Sequence, residues 1–134
     1  MFQDFHYRHI PALFTAGAQC WGTVYPLMVG TGGTRAVMLQ YGLPENIADV
    51  PEAWPAWNAG TARTCCLGLL MFWFYARRQY AVLDTFLVAI GGYLGLADCV
   101  LLWRQRPKMA VFRLVASLAF AGTGLAGVTQ GRAS

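Results

Sequence analysis

Four apolar blocks dominate this sequence, at residues 10–29, 56–76, 81–103 and 109–128, and each is as long as a helix needs to be to cross a bilayer. At 1.5 Å of rise per residue, about 20 residues span a hydrocarbon core of ~30 Å. Between the blocks stand short clusters of Pro, Arg, Lys and Glu, the layout of spans and their loops. Only 12% of residues are charged and 57% are hydrophobic, whereas an average soluble domain is roughly a quarter charged. The charges are too few to coat a water-exposed globule. The sequence therefore predicts an all-α integral membrane bundle of four transmembrane helices, with a short interfacial segment after the first. Residues 1–9 form a polar N-terminal segment, 10–128 the membrane domain and 129–134 a C-terminal tail. The expected setting is multi-pass in a membrane, the endoplasmic reticulum if the source is eukaryotic.

The first block carries Gln19, Trp21 and Tyr25 as its main polar or aromatic content. It is read as a retained span and not a cleaved leader, because Met1 to His9 lacks a basic cluster. Arg35 to Tyr41 is too short to cross and reads as an interfacial helix. A polar loop with Glu45, Asp49 and Glu52 follows, broken by Pro51 and Pro55. Arg77 and Arg78 end the second block, and Arg104, Arg106 and Lys108 end the third. Lys and Arg outside the spans divide equally between the two sides, so the positive-inside rule fixes no orientation.

A net charge of +4 raises nucleic acid as a partner. The basic residues sit at span ends and form no stripe, which excludes that reading and favours anionic lipid headgroups. All four cysteines lie inside apolar blocks, where thiols behave as small hydrophobes, so no disulfide framework is expected. His6 and His9 fall outside the spans in what reads as a solvated or headgroup-facing segment with Asp4. No metal site or cofactor is expected from these residue types.

Charged side chains inside spans are the informative ones, since each costs about 2.5 to 3.5 kcal/mol at a helix centre. They are Arg63, Asp84, Asp98 and Arg113. Arg63 lies roughly 9 Å below the start of the second span and Asp98 roughly 7 to 8 Å from the end of the third. Because the spans alternate in direction, Arg63, Asp98 and Arg113 share one leaflet. An ion pair between Arg63 and Asp98 follows, with Arg113 near the headgroups as a second cation or snorkelling anchor. Asp84 lies toward the opposite side, near Arg77 and Arg78, and is expected to pair there. At 100° per residue Asp84, Gly91, Gly95 and Asp98 form one stripe, Arg113, Ser117 and Gly124 a second, and Thr15, Gln19, Gly22 and Thr23 a third. Such stripes describe either a tightly packed bundle or a polar-lined cavity open to one leaflet.

The order Tyr41-Gly42-Leu43-Pro44, then Gly60-x-x-Arg63 with Leu67-Gly68, then Ala97-Asp98, resembles a family of small fungal and bacterial four-helix membrane proteins of unknown function within a wider DoxX-like group. The resemblance covers residues 12–128. In that family the second-span motif reads Gly-x-Arg-Asp and the third-span motif Gly-Asp-Ala. Here Thr64 follows the Arg, and the later motif is Ala97-Asp98-Cys99. The resemblance implies an accessory role in secondary-metabolite pathways.

Two functions fit these residues. In the first, a membrane enzyme or accessory factor carries out a cofactor-independent cyclisation or isomerisation of a lipophilic small molecule. Arg63 and Asp98 are then the catalytic pair, and Gln19 and Arg113 bind substrate. In the second, a non-catalytic scaffold or carrier uses the pair only to lock helix register. The lipid bilayer is the expected partner, together with a second copy of the chain or a membrane enzyme.

Overall fold

A computed structural model describes residues 5–30 and 32–132. The described chain is an all-α helical bundle: α1 Ile10–Val29, α2 Gly33–Tyr41, α3 Glu45–Ala48, α4 Trp54–Ala76, α5 Tyr80–Ala89, α6 Gly95–Trp103 and α7 Pro107–Leu125. A wide π turn, Ile90–Leu94, joins α5 to α6, so that Tyr80–Trp103 runs as one bent rod. Helix starts follow proline chemistry. Pro11, Pro55 and Pro107 each sit in a first turn, where the missing N–H would have had no intrahelical partner. Pro55, expected to break the loop, thus initiates α4. Helix ends follow the left-handed cap. Gly42 and Gly127 have positive φ and close α2 and α7 with paired backward hydrogen bonds, Leu43 N–H to the Met38 carbonyl and Val128 N–H to the Thr123 carbonyl.

Two of the four long helices, Tyr80–Trp103 and Pro107–Leu125, are long and apolar enough to cross a membrane. Helices α1 and α4 have 20 and 23 residues but a more polar composition, with Gln19, Tyr25 and Pro26 in one and Asn58, Arg63 and two threonines in the other. The outer surface of the bundle is apolar: Leu27, Leu69, Val100, Phe112 and Leu125 are each well exposed.

The long helices pair as two hairpin-like arms. Helix α1 lies along α4, and the α5–α6 rod lies along α7. Both contacts use small residues. A Cβ on Gly68 of α4 would stand 2.5 Å from the Ala16 carbonyl and 2.7 Å from Cys20 Sγ of α1. Gly91 and Gly95 press on Ser117 and Ala121 of α7, and Gly124 presses on the Asp84 carbonyl. The stripes read from helical spacing are therefore the seams between helices.

The arms join tightly at one end. A core of Ala12, Ala16, Met71, Tyr75, Leu83 and Leu87 fills it, and the turn from Arg77 to Gln79 ties α4 to α5. His9, expected to face headgroups, is fully buried there. Its ring stacks on Tyr80 with centroids 4.7 Å apart, and Nδ1 lies 3.1 Å from the Tyr75 hydroxyl. Asp4, expected beside the histidines, lies outside the described residues. Asp84 also corrects the sequence expectation: its carboxylate receives the backbone N–H groups of Thr129 and Gln130, both at 3.1 Å. Arg77, one of the two cations expected near it, lies over the Trp73 ring instead. The described part of the C-terminal tail is consequently not a loose polar end, and Thr129 is fully buried.

At the other end the arms diverge and α2 is wedged between them. Pro26 of α1 and Gly33 of α2 touch backbone to backbone, and a Cβ on Gly42 would meet Met109 of α7 at 2.8 Å. Thr34 donates to Asn58 Oδ1 of α4 at 3.2 Å.

Candidate functional site

The divergence of the two arms leaves a cavity of about 580 Å3 beneath α2, within the range of small-molecule sites. Every long helix contributes to its wall. Trp21 and Gly22 of α1, Val37 of α2, and Trp57 and Gly60 of α4 form one side. Ile90, Leu94, Asp98, Arg113 and Ser117 form the other. The wide π turn thus places two apolar side chains, Ile90 and Leu94, on the cavity surface, and its next helical turn carries Asp98.

Three residues from three helices close a polar cluster on this wall. The Tyr41 hydroxyl donates to Asp98 Oδ1. Arg113 donates to Asp98 Oδ2 from Nη2 at 2.6 Å and from Nε at 3.1 Å. Its Nη1 donates to the Tyr41 carbonyl at 3.3 Å, and its Cζ stands 3.8 Å above the centre of the Tyr41 ring. Side chains of Arg113 and Asp98 are 27% and 14% exposed, so the pair is shielded from most solvent screening. Charge-assisted bonds of this kind are roughly twice as strong as neutral ones, and a desolvated cation over a ring contributes about 2 kcal/mol more. Burial first, and then the bond to Asp98, push the Tyr41 phenol above its ordinary value. In the ligand-free cavity it therefore keeps its proton and serves as a hydrogen-bond donor.

The sequence-predicted residues separate here. Asp98, Arg113 and Gln19 all line the cavity. Arg63 does not: it stands exposed on α4 and makes no ion pair or hydrogen bond among the described residues. The expected Arg63–Asp98 pair is replaced by Arg113–Asp98, because α4 lies against α1 whereas Asp98 faces α7. The expectation rested on equal depth along the two helices; rotation about the helix axis separates Arg63 from Asp98. Arg113, read alone as a snorkelling anchor, is the bound cation of the cluster.

Sequence reasoning missed Tyr41 and Trp57 as wall residues. Tyr41 had one signal, its place at the head of Tyr41-Gly42-Leu43-Pro44, where Gly42 at φ 106 turns the chain so that α2 ends against α6 and α7. Trp57 packs edge-on against Tyr41 with ring centroids 5.0 Å apart. At the mouth, Trp21 Nε1 donates to Gln40 Oε1 at 3.1 Å, tying α1 to α2.

A family model described as a domain of unknown function, DUF4267, matches residues 26–127. That stretch contains α2, α4 through α7 and all three members of the polar cluster. No curated protein and no solved structure matches the chain.

Proposed function

The chain belongs to the DUF4267 family, and from that premise we propose that it is a multi-pass membrane protein which binds a lipophilic small molecule in the cavity beneath α2 and isomerises or cyclises it. All four long helices cross the bilayer in this reading, with α2 at the interface. The exposed apolar side chains along α1, α4, the α5–α6 rod and α7 support it, since a water-soluble monomer rarely carries so continuous an apolar surface. The DoxX-like resemblance extends the proposal to a place beside enzymes of secondary metabolism.

The observation that carries the chemistry is the Tyr41–Asp98–Arg113 cluster on the cavity wall. It supplies an acid and a base that are already in contact. Tyr41 gives its proton to an oxygen or carbon of the bound molecule, and Arg113, over the ring, stabilises the phenolate that forms. Asp98 removes a proton elsewhere on the molecule, and that proton returns to Tyr41 across their hydrogen bond. Protons balance over the cycle and no electron acceptor is needed.

The test is a producing host carrying Tyr41→Phe, Asp98→Asn or Arg113→Lys. Each variant should accumulate in membranes while the lipophilic product falls by about 100-fold or more and its precursor builds up. Unchanged product at normal abundance overturns the catalytic reading. A second reading, a scaffold or carrier locked by the ion pair, rests on the fact that both Asp98 oxygens are already hydrogen-bonded. It predicts that Tyr41→Phe keeps product formation. Cysteine labelling of the 77–79 turn and the 104–106 turn from opposite sides of sealed vesicles tests the crossing number, and labelling of both from one side defeats it.

A further inference from the structure

The cavity wall has a charge balance that selects among ligands. Of the described residues lining it, only Asp98 and Arg113 have charged side chains, of opposite sign, and they pair with one another. Both Asp98 oxygens are taken, one by Tyr41 and one by Arg113, and the guanidinium is held on Asp98, on the Tyr41 carbonyl and over the Tyr41 ring. Among the described residues no further charged side chain lines the wall to meet a charged ligand, and a charge brought into an apolar cavity without a partner is strongly disfavoured.

The hydrogen-bonding groups left over are neutral. Gln19 and Ser117 line the cavity on opposite arms, and their side chains make no hydrogen bond among the described residues. Trp57, also in the wall, has its Nε1–H buried with no acceptor among the described residues. Indole N–H can only donate, and the Gln19 amide and Ser117 hydroxyl can donate as well. Val37, Ile90 and Leu94 make an apolar stretch of the wall, while Gln40 Oε1 accepts from Trp21 and the Thr61 and Thr64 hydroxyls donate to backbone carbonyls.

Building on the binding reading above, we infer that the cavity takes an electrically neutral lipophile bearing oxygen acceptors, such as an alcohol, ketone or aldehyde, and excludes carboxylates and amines of the same skeleton. Oxygen acceptors satisfy the Trp57, Gln19 and Ser117 donors, while a carboxylate would compete with Asp98 for Arg113 and an amine would face Arg113 as a like charge.

The experiment titrates the purified, detergent-solubilised chain with farnesol, farnesoic acid and farnesylamine, which share one isoprenoid chain and differ in charge at neutral pH. Quenching of tryptophan fluorescence reports occupancy, since Trp21 and Trp57 line the cavity. Farnesol should quench saturably, with the acid and the amine at least about tenfold weaker. The response should weaken by several fold in Gln19→Leu and in Ser117→Ala, both of which leave the ion pair intact. Tighter or equal binding of the acid or the amine overturns the neutral-ligand inference while leaving a binding cavity in place. Absence of saturable quenching by all three overturns both that inference and the binding reading on which it rests.

Discussion

The Arg113 guanidinium lies against the face of the Tyr41 ring, Cζ 3.8 Å from its centre, and from there reaches both the Tyr41 carbonyl and the Asp98 carboxylate. Helix α2 is thereby fastened to the α6–α7 arm through one cation. Arg113→Ala should cost about 3 kcal/mol, the scale for stranding a shielded charge. Arg63→Gln, at a position without a partner among the described residues, should stay within about 0.5 kcal/mol of the parent. Denaturant-induced unfolding of both variants in mixed micelles checks the pair. Equal losses would refute the assignment of Arg113 as the partner of Asp98.

The difference between those two arginines marks how far the sequence carries. Hydropathy and proline placement located all four long helices to within a few residues, because both act within a single helix. Spacing also exposed the stripe of Gly91, Gly95 and Asp98 and the facing stripe of Arg113 and Ser117, which are joined by a short turn and meet in the structure. Depth along a helix is legible in this way; which neighbour a face meets is a property of the assembled bundle. Arg63 and Asp98 lie on helices that do not pack along one another. Tyr41 stayed hidden because it sits on a short helix of nine residues, where hydropathy carries little information. The end of α7 at Leu125, short of the expected Val128, reflects Gly127 entering the left-handed region at φ 65.

Tyr41 gives the cluster a pH signature. Its phenol value is raised in the folded chain, so the stabilisation it contributes is complete below the ordinary tyrosine value of about 10 and is lost as pH rises from there through the folded value. Stability measured by micelle denaturation should fall more steeply above about pH 10 in the parent than in Tyr41→Phe. Identical slopes would contradict the upward shift.

Close contact between α1 and α4 depends on the absence of a side chain at Gly68. Gly68→Ala brings a methyl within 2.5 Å of the Ala16 carbonyl and should cost about 1 to 3 kcal/mol, because a backbone atom must yield. Gly17, in the same helix as Ala16, has open space around it. Gly17→Ala should be neutral or stabilising by up to about 1 kcal/mol. Thermal aggregation midpoints of the two variants, measured side by side, check the prediction.

Asp84 anchors the C-terminal segment. Replacing its carboxylate in Asp84→Ala removes two charge-assisted bonds and should cost about 1.5 to 3 kcal/mol for each fully lost partner. Residues 128–132 should then become a substrate for carboxypeptidase digestion, read by intact-mass spectrometry, while the parent resists.

The same anchor imposes an order on biogenesis. Asp84 enters the growing bundle with α5, yet the N–H groups that hydrogen-bond its carboxylate belong to residues 45 and 46 positions later. At typical ribosomal speeds the carboxylate waits roughly 2 to 9 seconds for them. Through that interval the nascent rod lacks both N–H donors that hold this carboxylate in the folded chain, and the α5–α7 seam closes on it only once the segment after α7 has been made.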